Sequence, residues 1–396
     1  MQHCQNIRLS GAHVLRAETL VFEDVALEQG LITDDLPKPG NSTIDLSGYL
    51  VLPGIIDLHS TAFERQVPPR PDSGFPIASA LWSVGQEAAA QGITTAWLGQ
   101  SWSWEGGKHG PDFAETFLDA LADYRQTAVT DLRVQLRCDI HCVESQERLL
   151  EVVRRYGIDY IIFHNQIPQR LDLLGRDRTE FEQWGLQAGY DPEAYVALVR
   201  ATARLTPYAP RFICSMATAF DAARIRYGSS GDRDAPTRAY YDMIGARICE
   251  FPTAYAPARV ARIQGNPIVA GAHDVLRARS QIGGSAAIDL VRNGLCDALV
   301  SGAVFAALSK AAFSLGDAGI VQFGAAWHMI SGAPARIMGM SDRGEIAAGK
   351  RADLVFFNQG TRRIEGTMVA GRWSYLRGGL ADRFAMTSQA TLSAAE

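Results

Sequence analysis

Leu52-Pro53-Gly54-Ile55-Ile56-Asp57-Leu58-His59-Ser60-Thr61-Ala62-Phe63-Glu64-Arg65-Gln66-Val67-Pro68-Pro69-Arg70-Pro71 is the stretch on which the reading of this chain turns. Pro53-Gly54 is turn punctuation, Ile55, Ile56 and Leu58 are bulky or β-branched, and His59 stands where the apolar run stops. The stretch therefore reads as a buried strand with a histidine at its carboxyl end. In a barrel of alternating strands and helices, that end is where active sites are assembled.

Upstream, short apolar runs separated by turns (Ile7 to Leu9, His13 to Leu15, Thr19 to Phe22, Val25 to Leu27, Leu31-Ile32) predict a small β unit with no room for a catalytic domain. Downstream the pattern alternates. Strands are predicted at Ile93 to Leu98, Leu132 to Cys138, Tyr160 to Phe163, Phe212 to Ser215, Arg247 to Phe251, Ile268 to Ala270 and Ala298 to Ser301, which with the opening strand makes eight. Helical patterns lie between them. In one, Asp191 can cap, Pro192 suits the first helical position, and Tyr195, Leu198, Val199 and Thr202 share a face. Another runs from Ser285 to Asn293 and closes at Gly294. Strand and helix repeated in this way predict an α/β fold, a (β/α)8 TIM barrel over residues 53–335. A doubly wound open sheet has the same alternation. After Ala333-Pro334 the chain returns to turns and strands, so a small β-sandwich is expected from residues 1–52 and 336–385, followed by a frayed tail over 386–396.

Composition narrows the function classes. At 47% apolar and 20% charged residues the chain is an ordinary globular protein. A formal charge of -5 argues against nucleic acid or a membrane as the main partner, while leaving room for a local basic pocket that grips an anion. Six cysteines at irregular spacings read as reduced thiols, Cys214 and Cys296 as packing residues in apolar strands, and the Cys138-x3-Cys142 pair as a weak zinc signal. With no basic-then-apolar amino terminus, the expected location is cytoplasmic.

The polar candidates each have two readings. His59 is a metal ligand or a hydrogen-bonded core histidine. Asp139 and His141 share a strand face, and His164 ends the next strand. Glu64, Arg65 and Arg70 form a surface ion-pair group or a phosphate grip at the mouth. Arg277, Arg279 and Ser280, beside Gly283-Gly284 and ahead of a predicted helix, suit an anion. Trp97 reads as core; Trp102 and Trp104 line a pocket or shield the barrel top.

Several of these pieces resemble the amidohydrolase superfamily, and more narrowly the PhnM family of phosphonate utilisation. The resemblance rests on Leu58-His59 with Pro69-Arg70-Pro71, Gly92-Ile93-Thr94-Thr95, Leu136-Arg137-Cys138-Asp139, Glu250-Phe251-Pro252-Thr253, the Gly271 to Gly284 loop, Asp297 to Phe313, and the carboxyl-terminal run Gly344-Glu345-Ile346-Ala347-Ala348-Gly349-Lys350-Arg351-Ala352-Asp353-Leu354-Val355. It implies a metal-dependent barrel that releases pyrophosphate from α-D-ribose 1-methylphosphonate 5-triphosphate. Against the family pattern, His-x-Asp is here His59-Ser60-Thr61, Arg-Cys-Glu is Arg137-Cys138-Asp139, and Asp-His is His164-Asn165. Ser-His-Asp-Asp aligns with Ser215-Met216-Ala217-Thr218, Ser-Ser-Asp with Val300-Ser301-Gly302, and Ser-His-Ser-Gly with Ser280-Gln281-Ile282-Gly283. Metal hydrolysis needs at least three firm ligands and an open position. Carried over position by position, only His59 and Asp139 remain as ligands, with His141 and His164 as replacements after a register change.

The expectation is a PhnM-like barrel, degenerate at its metal site, that binds a phosphorylated small molecule or a protein partner, as a homo- or hetero-oligomer. The alternative is a working hydrolase with an altered mononuclear centre. The cofactor is accordingly none, or a single zinc or manganese ion.

Overall fold

The computed structural model describes residues 6–34, 42–67, 76–277 and 287–393. The first strands, β1 (Ile7–Arg16), β2 (Thr19–Glu28), β3 (Leu31–Thr33), β4 (Ser42–Asp45) and β5 (Tyr49–Pro53), lead through Gly54 into the barrel. Its strands are β6 (Ile55–Ser60), β7 (Ile93–Trp102), β8 (Asp131–Asp139), β9 (Tyr160–His164), β10 (Arg226–Ser230), β11 (Ile248–Glu250), β12 (Ile268–Gly271) and β13 (Ala298–Val300). They lie in sequence order and pair in parallel, as a (β/α)8 barrel requires. Ile56, Leu58, Trp97, Tyr160, Ile162, Ile248, Val269, Ala298 and Val300 fill the barrel's interior, while a larger core packs the outer strand faces against the helices.

The seam between β6 and β13 is closed differently from the other seven junctions. A single parallel bridge joins Ser60 to Gly302, and lower down the Ile56 and Leu299 amides donate to the carbonyls of Ile330 and Met329. Between these, Asp57 acts as a side-chain rung. Its Oδ1 accepts from the Ser301 amide (3.1 Å) and its Oδ2 from the Ser301 hydroxyl (2.5 Å).

The chain ends build one further sheet. With β14 (Leu354–Asn358), β15 (Arg363–Val369) and β16 (Arg372–Leu376), the order is β16-β15-β14-β5-β1-β2-β3, with β4 paired to β1. β5 and β14 pair antiparallel, so the segment that opens the barrel is clamped by residues some 300 positions later. A helix over Gly378–Ser393 follows and runs past Met386, where a frayed tail was expected.

One predicted strand is a helix. Phe212 to Ser215 lies inside the helix Ala209–Ala222, whose buried side chains are Ala209, Phe212, Ile213, Met216, Ala217 and Phe220. That spacing is helical, and a short apolar run alone cannot separate the two periods. Cys214 accordingly faces out and is exposed, not packed in a strand. The fifth barrel strand is β10, ending Ser229-Ser230 and followed by Gly231-Asp232. Met216 and Ala217 therefore say nothing about lost ligands, because they never stood at the mouth. The capped helix at Asp191 forms as expected over Pro192–Ala203, its Asp191 carboxylate accepting from the amides of Glu193 and Ala194.

Candidate functional site

At the carboxyl end of the barrel, strand alternation turns Gln135 and Arg137 of β8 inward, toward His59 of β6, His164 of β9, Ser230 of β10 and Glu250 of β11. Glu250 and Gln135 are fully buried and His59 nearly so. The hydrogen-bond directions form a chain. Gln135 Nε2 donates to Glu250 Oε1 (2.7 Å), so Gln135 Oε1 is left to accept, and it takes the Nδ1 proton of His59 (2.5 Å). This fixes the imidazole as the Nδ1–H tautomer with Nε2 an acceptor. Burial, the larger cause, together with the Arg137 guanidinium lowers the His59 pKa, so the ring is neutral near pH 7. Phe251 packs edge-on against that ring at 5.4 Å and holds a φ of 50°, a left-handed conformation in a bulky residue.

Arg137 is the hub. Its Nη1 donates to Glu250 Oε2 (2.9 Å) and lies 3.3 Å from His59 Nδ1, while Nη2 reaches His164 Nδ1 (3.4 Å) and the Ser230 hydroxyl (3.3 Å). Burial and this guanidinium push the His164 pKa down to about 3. The Nη1 side is neutralised by a buried carboxylate; the Nη2 side has only two long, uncharged contacts.

The other sequence candidates fall around this hub. Asp139 neighbours His164 across β8 and β9, but its Oδ1 holds His141 Nδ1 at 3.0 Å, and His141 Nε2 is within hydrogen-bond distance of the Thr206 hydroxyl (3.1 Å). Asp139 Oδ2 is buried without a hydrogen bond. Arg65 Nη2 donates to both carboxylate oxygens of Glu87 (2.7 and 2.8 Å), a partner the sequence reading did not name. Arg277 is exposed at the end of the short helix Ala272–Arg277. Arg70, Arg279 and Ser280 lie outside the described residues. Trp97 is core as expected, and Trp102 is buried too, donating to the Ser145 hydroxyl (2.9 Å) instead of lining a pocket.

Sequence reasoning missed Gln135, Arg137, Ser230 and Glu250 as site residues. The signal was present in β8, where Asp131, Arg133, Gln135, Arg137 and Asp139 put a polar side chain at every second position, all on one face. Glu250, a lone carboxylate ending the apolar Ile248-Cys249, was a second one.

This constellation does not fit a divalent cation. Among the described residues, no three His, Cys, Asp or Glu side chains group so as to hold one. A guanidinium that cannot lose its proton lies between the two inward imidazoles, where a metal bound by both would stand.

No family model matches the chain. Over 329 residues, 81% of this chain and 86% of its counterpart, it is 27% identical to the alpha-D-ribose 1-methylphosphonate 5-triphosphate diphosphatase of Escherichia coli strain K12. Among solved structures it resembles an amidohydrolase (TM-score 0.62, 14% identity, 94% of this chain and 99% of that one). It also resembles the N-acetylglucosamine-6-phosphate deacetylase of Pasteurella multocida (TM-score 0.61, 12% identity, 93% and 99%). A strand-ordered barrel clamped by a sheet from both chain ends, with its polar cluster at the carboxyl ends of the strands, is the amidohydrolase class of fold. In fold the chain is like these structures, and in sequence it is PhnM-like.

Proposed function

We propose that this barrel binds a phosphorylated metabolite of the ribosyl phosphonate type at its mouth, without a metal ion and without hydrolysing it. The observation that carries this reading is the position of Arg137 between His59 and His164. A planar guanidinium whose Nη2 side lacks a carboxylate is a receptor for a phosphate oxygen. His59 Nε2, an acceptor held in place by Gln135, suits a hydroxyl or a protonated phosphate oxygen beside it. The likeness to the Escherichia coli diphosphatase supports the substrate class. Purified protein is expected to carry metal far below one equivalent, to release no pyrophosphate from the ribosyl methylphosphonate triphosphate with added zinc or manganese, and to bind that compound saturably, with Arg137→Ala weakening binding at least about ten-fold. Near-stoichiometric metal together with turnover abolished by His59→Ala would sink the proposal.

A second reading, a hydrolase with one metal ion, draws on a single feature. Asp139 Oδ2 is a buried carboxylate oxygen without a hydrogen bond, beside His164. In that case Asp139→Asn abolishes metal-dependent pyrophosphate release while leaving the fold intact.

A further inference from the structure

At the opposite end of the barrel, where β10 to β13 begin, there is a cavity of about 830 Å³, within the range of small-molecule sites. Arg226 and Arg247 enter it from the starts of β10 and β11, and Arg336 from the helix Gly332–Ile337. Arg262, Asp297, Asp221 and Glu18 complete its charged lining, four arginines against three carboxylates in a chain that is acidic as a whole. Two of the carboxylates are committed. Asp297 holds Arg262 (2.9 Å) and also accepts from the Ile268 amide, and Asp221 accepts the Tyr227 hydroxyl (2.9 Å). Among the described residues no carboxylate lies within ion-pairing distance of Arg226, Arg247 or Arg336; the Arg336 guanidinium meets only the His328 imidazole.

The other half of the same barrel end is built differently. There Arg133 binds Asp131 (3.0 Å) and Asp159 (2.6 Å), and Arg343 binds Asp131 (2.9 Å) and Asp342 (2.9 Å), so each of these two guanidinium groups is held by carboxylates. Three arginines left without carboxylates around an open cavity repel one another, and this repulsion is relieved by an anion between them. The Arg226 guanidinium lies close over Gly339, whose Cβ would come within 2.8 Å of Nη2.

We propose that this basal cavity is a second binding site, for a small phosphorylated anion held by Arg226, Arg247 and Arg336 independently of the mouth. Inorganic pyrophosphate is the probe, titrated into the full chain by calorimetry at low salt and checked by the rise in melting temperature. Saturable binding is expected, weakened about ten-fold or more by Arg226→Ala and by Arg247→Ala, whereas Arg137→Ala removes only the share that the mouth contributes and leaves the basal share in place. Arg226→Lys, which keeps the charge and loses the fork, is expected to weaken it as well. Both basal side chains are exposed, so these variants keep the fold. Absence of saturable pyrophosphate binding overturns the proposal. So does binding untouched by both alanine variants, or binding lost in Arg137→Ala alone, which assigns the anion to the mouth.

Discussion

Four side chains, Glu250, Gln135, His59 and Arg137, decide what the mouth can do, and each is set by its neighbour. Because Gln135 must donate to Glu250, it can only accept from His59. Nitrogen-15 NMR at neutral pH should therefore find His59 as the Nδ1–H tautomer, and Gln135→Leu should shift it toward Nε2–H. An unchanged tautomer in the variant would detach His59 from this chain of bonds. Glu250 also neutralises Arg137 inside the barrel. Glu250→Gln should destabilise the fold by about 3 kcal/mol in urea denaturation, since it leaves a guanidinium largely buried and unpaired. The double variant Arg137→Met with Glu250→Met should recover much of that loss.

The histidines make stability depend on pH with a definite sign. The pKa of His164 lies at about 3 in the folded chain, against an ordinary value near 6.5. The unfolded chain binds the proton more tightly, so stability is complete above about pH 6.5 and falls as the pH drops toward 3, by about 1.4 kcal/mol per unit over that window. Asp57 acts in the opposite sense. Burial raises its pKa to about 7 against the hydrogen bonds that favour its ionised form, so its contribution declines as the pH rises from about 4 to 7. The informative quantity is thus the difference between the wild type and His164→Phe, which should open steadily between pH 6.5 and 4.

Among elements, β10 is tightly placed. A Cβ on Gly228 would lie 2.1 Å from the carbonyl oxygen of Ile248, a backbone atom of β11 that cannot swing away. Gly228→Ala should cost about 2 kcal/mol or more and shift the thermal midpoint down by several degrees. β10 is also the element that sequence reading misplaced. Tyr227-Gly228-Ser229-Ser230 has neither the β-branched content nor the apolar run that marks a strand, because its inner face carries a glycine and a serine where β11 and the site crowd in. Phe212-Ile213-Cys214 carries the stronger apolar signal and is helical. Strands such as β6 and β9, buried on both faces, announce themselves as apolar runs, and His59 is legible because it ends one. Gln135, Arg137 and Glu250 showed locally only as polar side chains on buried strands; their roles arise from pairing between β8, β6, β9 and β11, which no local pattern records.

For the whole molecule, the sheet drawn from both chain ends was legible in outline from Gly344 to Val355 and from the early strands. What sequence could not give was the clamp of β5 against β14, which buries Val51, Leu354 and Phe356 in the core of that sheet, beside Leu380 of the closing helix. A chain cut after Ile337 loses β14 to β16 and exposes that core. It should be insoluble, or soluble with no near-ultraviolet dichroism; a native-like spectrum would show that the barrel stands without its clamp.

The Asp57 rung at the seam has a consequence in time. Neighbouring barrel strands are also neighbours in sequence, so most of the sheet can assemble through modest loops, yet Asp57 and Ser301 are 244 residues apart. Contacts that close such a long loop bring entropy loss before any reward, and they belong late in folding. His59 sits two residues from that rung. During refolding the helical signal should therefore return first, and ligand binding at the mouth should lag behind it, appearing only when the last seam is joined.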